Sequence, residues 1–389
     1  MNSTRPPRSK LPVTLIAGLG GWVTVRTSIL PMNAYPTKRP GTPPFGIRHW
    51  RLAFLPRILW LLSPLFLQRV GSAAELQGRM DQGSLNLTWD APYARLEESS
   101  TPSGPWKTVI GAGSPYRRPP TSLRGFFRLK LPPAGKKWLT VAAVSMTSQT
   151  NTEANLETFS RYLDRAASNH ADLVVFPEVA LQGCPGWREE SLKPSVQEMA
   201  YTRETAETIP GPSTAKVVAK AKEVGVLVVF GMTEKDAAGR LYNANVLLGP
   251  EGVIGRHRKS FFVANDAMIW TLGSGFVPLD SPIGKIGLMI CAEMAQFPGP
   301  DLARQGAVLL VTSSAWWNSI SGFWDPATVD NAVKASRWHV VSQQVGKVGY
   351  TQCYGHARVV DPFGQVVCDT GAAEGLVTWT TDILVNARP

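Results

Sequence analysis

The sequence predicts a mixed α/β layer fold preceded by a small all-β module, and three observations carry that reading. From Trp138 onward, short apolar runs bounded by Gly and Pro alternate with segments of helical period, as strands and helices packed in layers require. Before Trp138, residues 75–131 alternate in strand period between Pro and Gly turns. Charge is also unevenly placed: residues 1–140 hold 20 Lys and Arg against 5 Asp and Glu, whereas residues 141–389 hold 20 against 24. The formal charge of +11 therefore belongs to the N-terminal part, and the mildly acidic remainder gives nucleic-acid binding little support. A chain of 389 residues with 44% hydrophobic content can bury a large core and accommodate two or three units.

Taken in order, residues 1–74 contain ten basic side chains and no acidic one. Within them Arg48, Arg51 and Arg57 precede the apolar run 58–67, and Gly71-Ser72-Ala73-Ala74 follows. A basic stretch, a short apolar segment and small residues suited to cleavage read as a signal peptide, since the run is too short to span a bilayer comfortably. The expectation is an exported protein, periplasmic or extracellular, that begins close to Glu75 and keeps no stable membrane span. A cytoplasmic protein is the alternative if the leader does not function. In residues 75–131, Leu85, Leu87 and Trp89 alternate, Ala94 and Leu96 repeat the pattern, and Phe126-Phe127-Arg128-Leu129 supplies a last strand. Residues 132–137 read as a linker. In the remaining domain, 138–389, segments 139–144, 173–176 and 226–230 read as strands, and 155–168 and 213–224 as helices.

The chemistry-bearing residues sit at the ends of apolar runs. Cys291 closes Ile286-Gly287-Leu288-Met289-Ile290 and is followed by Ala292-Glu293, so a buried strand delivers a thiol to its carboxyl end, where catalytic groups are usually presented. Taken alone, the pattern fits a packed core cysteine better. Two further segments change the balance. Asp172-Leu173-Val174-Val175-Phe176-Pro177-Glu178 is another apolar strand, ended by a proline and a carboxylate, and Arg256-His257-Arg258-Lys259 follows Val253-Ile254-Gly255. A free thiol has a pKa of about 8.5 and is only slightly ionised at neutral pH, so as a nucleophile it needs a base and a nearby cation. Glu178 and Lys259 supply them.

These segments resemble the nitrilase superfamily of carbon–nitrogen hydrolases. Val175-Phe176-Pro177-Glu178-Val179-Ala180-Leu181-Gln182-Gly183 is similar to its glutamate motif, Gly255-Arg256-His257-Arg258-Lys259 to its lysine motif, and Gly287-Leu288-Met289-Ile290-Cys291-Ala292-Glu293 to its cysteine motif. The likeness continues through Ser313-Ser314-Ala315-Trp316 and Gly355-His356-Ala357-Arg358 and spans about residues 138 to 384. It implies a four-layer α-β-β-α sandwich, paired through a helical face into a homodimer or larger homo-oligomer, with no cofactor and no metal. It further implies a Glu178, Lys259 and Cys291 triad that attacks a small-molecule amide or nitrile and passes through a thioester, with the backbone N–H of Ala292 helping to hold the oxyanion. Amide is the leading substrate class, because Cys291-Ala292-Glu293 lacks the Cys-Trp-Glu sequence of dedicated nitrilases; acyl transfer to an amine is a further option. Two departures stand out. Ala292 replaces the aromatic or polar residue usual after the cysteine, and no Glu lies between Lys259 and Cys291, where members commonly carry a second one. Asp266 aligns there, either positioning the lysine or substrate or standing as a solvated loop residue beside Asn265.

Other groups compete for a role. Cys184, Cys353 and Cys368 show no CxxC or zinc spacing, and Cys353 and Cys368 read as packed thiols, with a disulfide as the alternative. Cys184 reads as a turn residue or as lining the pocket entrance. The histidines offer no metal pair, although His356 as the base of a Cys–His dyad is the rival to the Glu-Lys-Cys set. Trp316, Trp317 and Trp324 either wall a substrate pocket or pack the core. Residues 75–131 loosely resemble fibronectin-like β modules of exported proteins and read as a spacer. A non-catalytic surface-binding protein on a hydrolase scaffold is the competing function from another class.

Overall fold

The computed structural model describes residues 135–187 and 193–385, residue 132 and, nearer the N-terminus, 23–25, 76–81, 84–89, 94–101, 103–109, 114–118 and 126–130. The expected signal peptide lies outside the described residues. The chain divides into two compact units, one ending at Lys130 and the other beginning at Leu131. In the first, antiparallel strands Leu76–Asp81 and Ser84–Trp89 pair with each other, and Arg95–Ser99 pairs with Phe126–Lys130. Leu76, Leu87, Leu96 and Phe127 form its apolar centre. The buried Glu97 carboxylate pairs across the strands with Arg128, whose guanidinium also lies over the Trp106 ring.

The second unit opens with β1 (Lys136–Met146), α1 (Thr152–Ser168), β2 (Leu173–Val175), α2 (Val196–Thr205) and α3 (Pro212–Val224). It continues with β3 (Leu227–Lys235), β4 (Leu241–Gly249), β5 (Gly252–Arg258), the short α4 (Asp266–Ile269) and β6 (Ile286–Ile290). After a 3-10 turn at Cys291–Gln296 come α5 (Gly299–Arg304), β7 (Leu309–Ser314), α6 (Trp324–Ala335) and β8 (Trp338–Val348). Thr351–Tyr354, Arg358–Val360, Val366–Asp369 and Gly375–Leu384 (β9 to β12) complete it. The principal strand order is β5-β4-β3-β2-β1-β8-β7-β6, parallel from β3 through β6 and antiparallel at β4 and β5.

Alternate residues of these strands face different partners, and this divides the unit into layers. Val141 and Ala143 of β1 join Val175, Val229, Leu288, Val311 and Val340 in a core between the two halves of the sheet. Ala142 and Val144 point the other way, into a second core with Phe159, Leu163 and Val217 of α1 and α3. On the far side, Met289, Leu310 and Val341 pack against Leu302 and Trp324 of α5 and α6. Helices α1 and α3 thus pack on one part of the sheet and α5 and α6 on another. Each large apolar side chain buried this way contributes about 1.5–3 kcal/mol. Helix starts fall slightly earlier than apolar periodicity alone suggests, because capping fixes them. Asn151 accepts from the Ala154 N–H at 3.1 Å, which starts α1 at Thr152 instead of Asn155.

Candidate active site

Three strand ends converge on one place. Pro177 stops the β2 ladder, and the chain turns through Val179, whose φ of 47° is left-handed, so that Glu178 points into the interior. Gly231 of β3 makes this turn possible: a Cβ there would stand 2.4 Å from Val179 N and 2.7 Å from Glu178 Cα, both backbone atoms. The turn is then fixed by Gln344, whose Nε2 donates to the Glu178 carbonyl at 3.0 Å.

Lys259 follows β5 and is almost wholly buried. Its Nζ donates to Glu178 Oε1 at 2.8 Å and to Asp266 Oδ2 at 2.8 Å. Asp266, the first residue of α4, is equally buried and also accepts from the Val263 N–H at 3.2 Å. It is not a solvated loop residue. Burial works against the Lys259 charge, but Asp266, Glu178 and Cys291 overcome it and hold the ammonium well above its ordinary pKa.

Cys291 begins the 3-10 turn after β6 with a φ of 49°. A non-glycine residue held in this region is strained, by roughly 1–3 kcal/mol, and such strain collects at functional sites. Ala292, next in the turn, carries one of the first N–H groups, which have no partner within the helix itself. A nearby Lys259 would be expected to favour the thiolate. The balance falls the other way: burial, followed by the Glu178 charge, pushes the thiol up to about 12 against the pull of Lys259. Burial likewise raises the Glu178 carboxyl, although Lys259 opposes the shift.

Two supporting carboxylate and amide contacts were not singled out by sequence reasoning. Asn243 of β4 donates to Glu178 Oε1 at 2.7 Å, so that oxygen receives both the amide and the ammonium. Its signal was a pair of amides, Asn243 and Asn245, in a strand buried along its whole length. Glu293, wholly buried, accepts from the Ile290 N–H at 2.6 Å and from His257 Nε2 at 2.8 Å. Its other oxygen accepts from the Ser260 N–H and hydroxyl at 2.6 and 2.8 Å. Burial alone would raise its pKa, but His257 and the Ser260 bonds lower it.

Glu178, Lys259, Asp266, Cys291 and Ala292 line one cavity of about 250 Å3, walled in part by Trp316. Trp324 stands behind that wall, fully buried, with its ring centroid 5.6 Å from that of Trp316. Trp187 and Trp317, the former unflagged by the sequence, reach the cavity instead. His356 is not among its lining residues and bonds to Asp369 at 3.0 Å, which removes it as the base of a dyad. All four cysteines are free thiols, and Cys184 is buried outside the lining. Among the described residues no cluster of His, Cys, Asp and Glu is placed to hold a metal ion, and no helix is long and apolar enough to cross a membrane.

The sheet and the turns at its strand ends bring a buried thiol, two carboxylates and an ammonium to one cavity. Residues 140–385, more than half of the chain, match the Carbon-nitrogen hydrolase family, and the chain belongs to it. Over 202 residues it is 31% identical to omega-amidase NIT2 of Mus musculus, a match covering 47% of this chain and 71% of the relative. Among solved structures, Nit3 of Saccharomyces cerevisiae, a nitrilase-superfamily member, superposes with a TM-score of 0.56 at 22% identity over 63% of this chain and 90% of that one. An amidase of Nesterenkonia AN1 from the same superfamily gives 0.53 at 16% identity, over 66% and 94%. At such identities the two structures bear on the fold alone. The protein is a carbon–nitrogen hydrolase of the amidase and nitrilase type.

Proposed function

We propose that the cavity hydrolyses a non-peptide amide through a Cys291 thioester, with Glu178 as proton carrier and Lys259 as electrostatic support. The observation that carries this reading is that the buried Lys259 Nζ lies 2.8 Å from the buried Glu178 in a cavity that Cys291 also lines. Because burial keeps the thiol protonated, attack and proton removal belong to one step. The Cys291 S–H proton passes to Glu178 as sulfur bonds to the amide carbon, and the C=O electron pair moves onto oxygen. An ammonium has three N–H donors, and Glu178 and Asp266 engage two of them. The third, with the Ala292 N–H, faces the developing oxyanion. Collapse expels the amine, which takes the proton from Glu178. Water then attacks the thioester, gives a proton to Glu178, and releases a carboxylic acid as the thiol is re-formed.

Ammonia or amine release measured over a panel of amides and nitriles tests the reading. Release from amides, faster than from matching nitriles and lost in Cys291→Ala, supports it. Turnover of nitriles alone contradicts the amide assignment.

We also infer that residues 75–131 form a separate spacer module, that residues 1–74 direct export, and that the hydrolase unit pairs into a homo-oligomer. N-terminal sequencing of protein from its native host tests the second point, with Glu75 near the mature start expected and an intact residue 1 contradicting it. Light scattering tests the third, with a monomer as the contrary result.

A further inference from the structure

Beyond the reacting groups, the described residues of the cavity wall are Trp187, Val263, Ala315, Trp316, Trp317 and Ile320. None carries a charge. The Trp316 indole N–H, the polar atom of that side chain, donates to the Ile320 carbonyl at 2.9 Å, so the ring meets the cavity as apolar surface. Its position is set from behind by Trp324, and that of Trp187 by Trp270, at 6.3 Å between ring centroids. Such backing holds these two rings in place.

The charges in the cavity are equally restrictive. Among the described residues that line it, Lys259 is the cation, and it is already bonded to two carboxylates, Glu178 and Asp266. A carboxylate at the far end of a bound acyl chain would meet aromatic carbon, with no cation among the described lining residues to receive it. An aryl or alkyl group would instead bury apolar surface against the tryptophans. At about 250 Å3 the space falls below the roughly 300 Å3 at which cavities for drug-sized ligands begin, so one ring or a short chain fills it.

We infer that this hydrolase selects amides of small, uncharged monocarboxylic acids whose acyl group is aromatic or alkyl, and discriminates against acyl chains ending in a carboxylate. The inference rests on the amidase reading of the cavity and adds the acyl class to it. One methylene in such a pocket changes kcat/KM about tenfold, and an unpaired buried charge costs more.

The test uses the full chain with phenylacetamide, hexanamide and glutaramate, the last two being close in length and differing in terminal charge. Expected is a kcat/KM for phenylacetamide and hexanamide about 100-fold or more above that for glutaramate, with Trp317→Ala narrowing the preference for phenylacetamide over glutaramate by about tenfold. Calorimetric binding to Cys291→Ala is read separately, and the neutral amides should bind about tenfold or more tighter than glutaramate. Glutaramate handled as well as hexanamide, in either measurement, overturns the inference and means that a cation reaches the cavity from outside the described residues. Selective binding of the neutral amides without any turnover supports the pocket class while contradicting the amidase reading. Absence of binding by the neutral amides overturns the pocket class whatever the turnover.

Discussion

The Glu293 carboxylate accepts two hydrogen bonds from Ser260, one from its backbone N–H at 2.6 Å and one from its hydroxyl at 2.8 Å. Ser260 follows Lys259, and Glu293 lies two residues beyond Cys291, so the tie joins the turn carrying the ammonium to the turn carrying the thiol. With the bonds from Ile290 and His257, this buried carboxylate receives donors from every side.

Glu293→Gln should therefore be costly despite its near-identical shape. A glutamine must point an NH2 group at donors that need an acceptor. The expected loss is about 3 kcal/mol of stability, in the range for breaking a buried ion pair, read as a lower urea midpoint with unchanged slope. The folded pKa of Glu293 lies below its ordinary value of 4.5. Its stabilisation is thus present above that value and lost as pH falls through the folded one, so the gap between variant and wild type should close in acid. A gap independent of pH would show that the charge is not what the site holds.

Asp266 is predicted to orient Lys259. Asp266→Asn should slow formation of the acyl-enzyme by about tenfold or more, a barrier change near 1.4 kcal/mol, while Asp266→Glu is milder. Pre-steady-state release of the first product isolates this step. Unchanged acylation in Asp266→Asn would leave Glu178, Lys259 and Cys291 working without a fourth side chain.

The resting thiol should be neutral. Burial and Glu178 push it up to about 12, so the thiolate ultraviolet band assigned by difference from Cys291→Ala should be absent at neutral pH. The raised folded value also fixes a sign. The neutral thiol stabilises the folded chain below its ordinary pKa of about 8.5, and this contribution is lost as pH rises toward about 12. Wild type should then lose stability more steeply than Cys291→Ala in that window. A thiolate band at neutral pH would contradict the coupled proton transfer.

Gly231→Ala should damage the site from behind. The new methyl would meet the backbone of Pro177, Glu178 and Val179, none of which can rotate away as a side chain does. Overpacking of this kind costs about 1–3 kcal/mol and should displace Glu178, lowering kcat. Full activity with unchanged stability would mean that the turn tolerates a shift.

Much of this was legible in the sequence. Strand ends at Glu178, Lys259 and Cys291 could be read from apolar runs that stop at a reactive residue, because a buried strand leaves a clear hydrophobic signature. Asp266 could be placed only by aligning the chain with a family pattern, since its burial depends on a loop closing over Lys259. Glu293 and Asn243 show the limit more sharply: each acts through partners far along the chain, His257, Ser260 and Glu178, and periodicity carries no information about such pairings. Trp324 illustrates the converse, being close in sequence to the cavity wall yet turned into the core at the start of α6.

The central claim is a covalent acyl group on Cys291. Acid-quenched mass spectrometry of the full chain during turnover of an amide tests it most directly. The account predicts an added mass equal to the acyl group less one hydrogen, on the peptide containing Cys291, removable by hydroxylamine and absent from Cys291→Ala. Steady hydrolysis without that adduct, together with Cys291→Ala turning over within about tenfold of wild type, would contradict it.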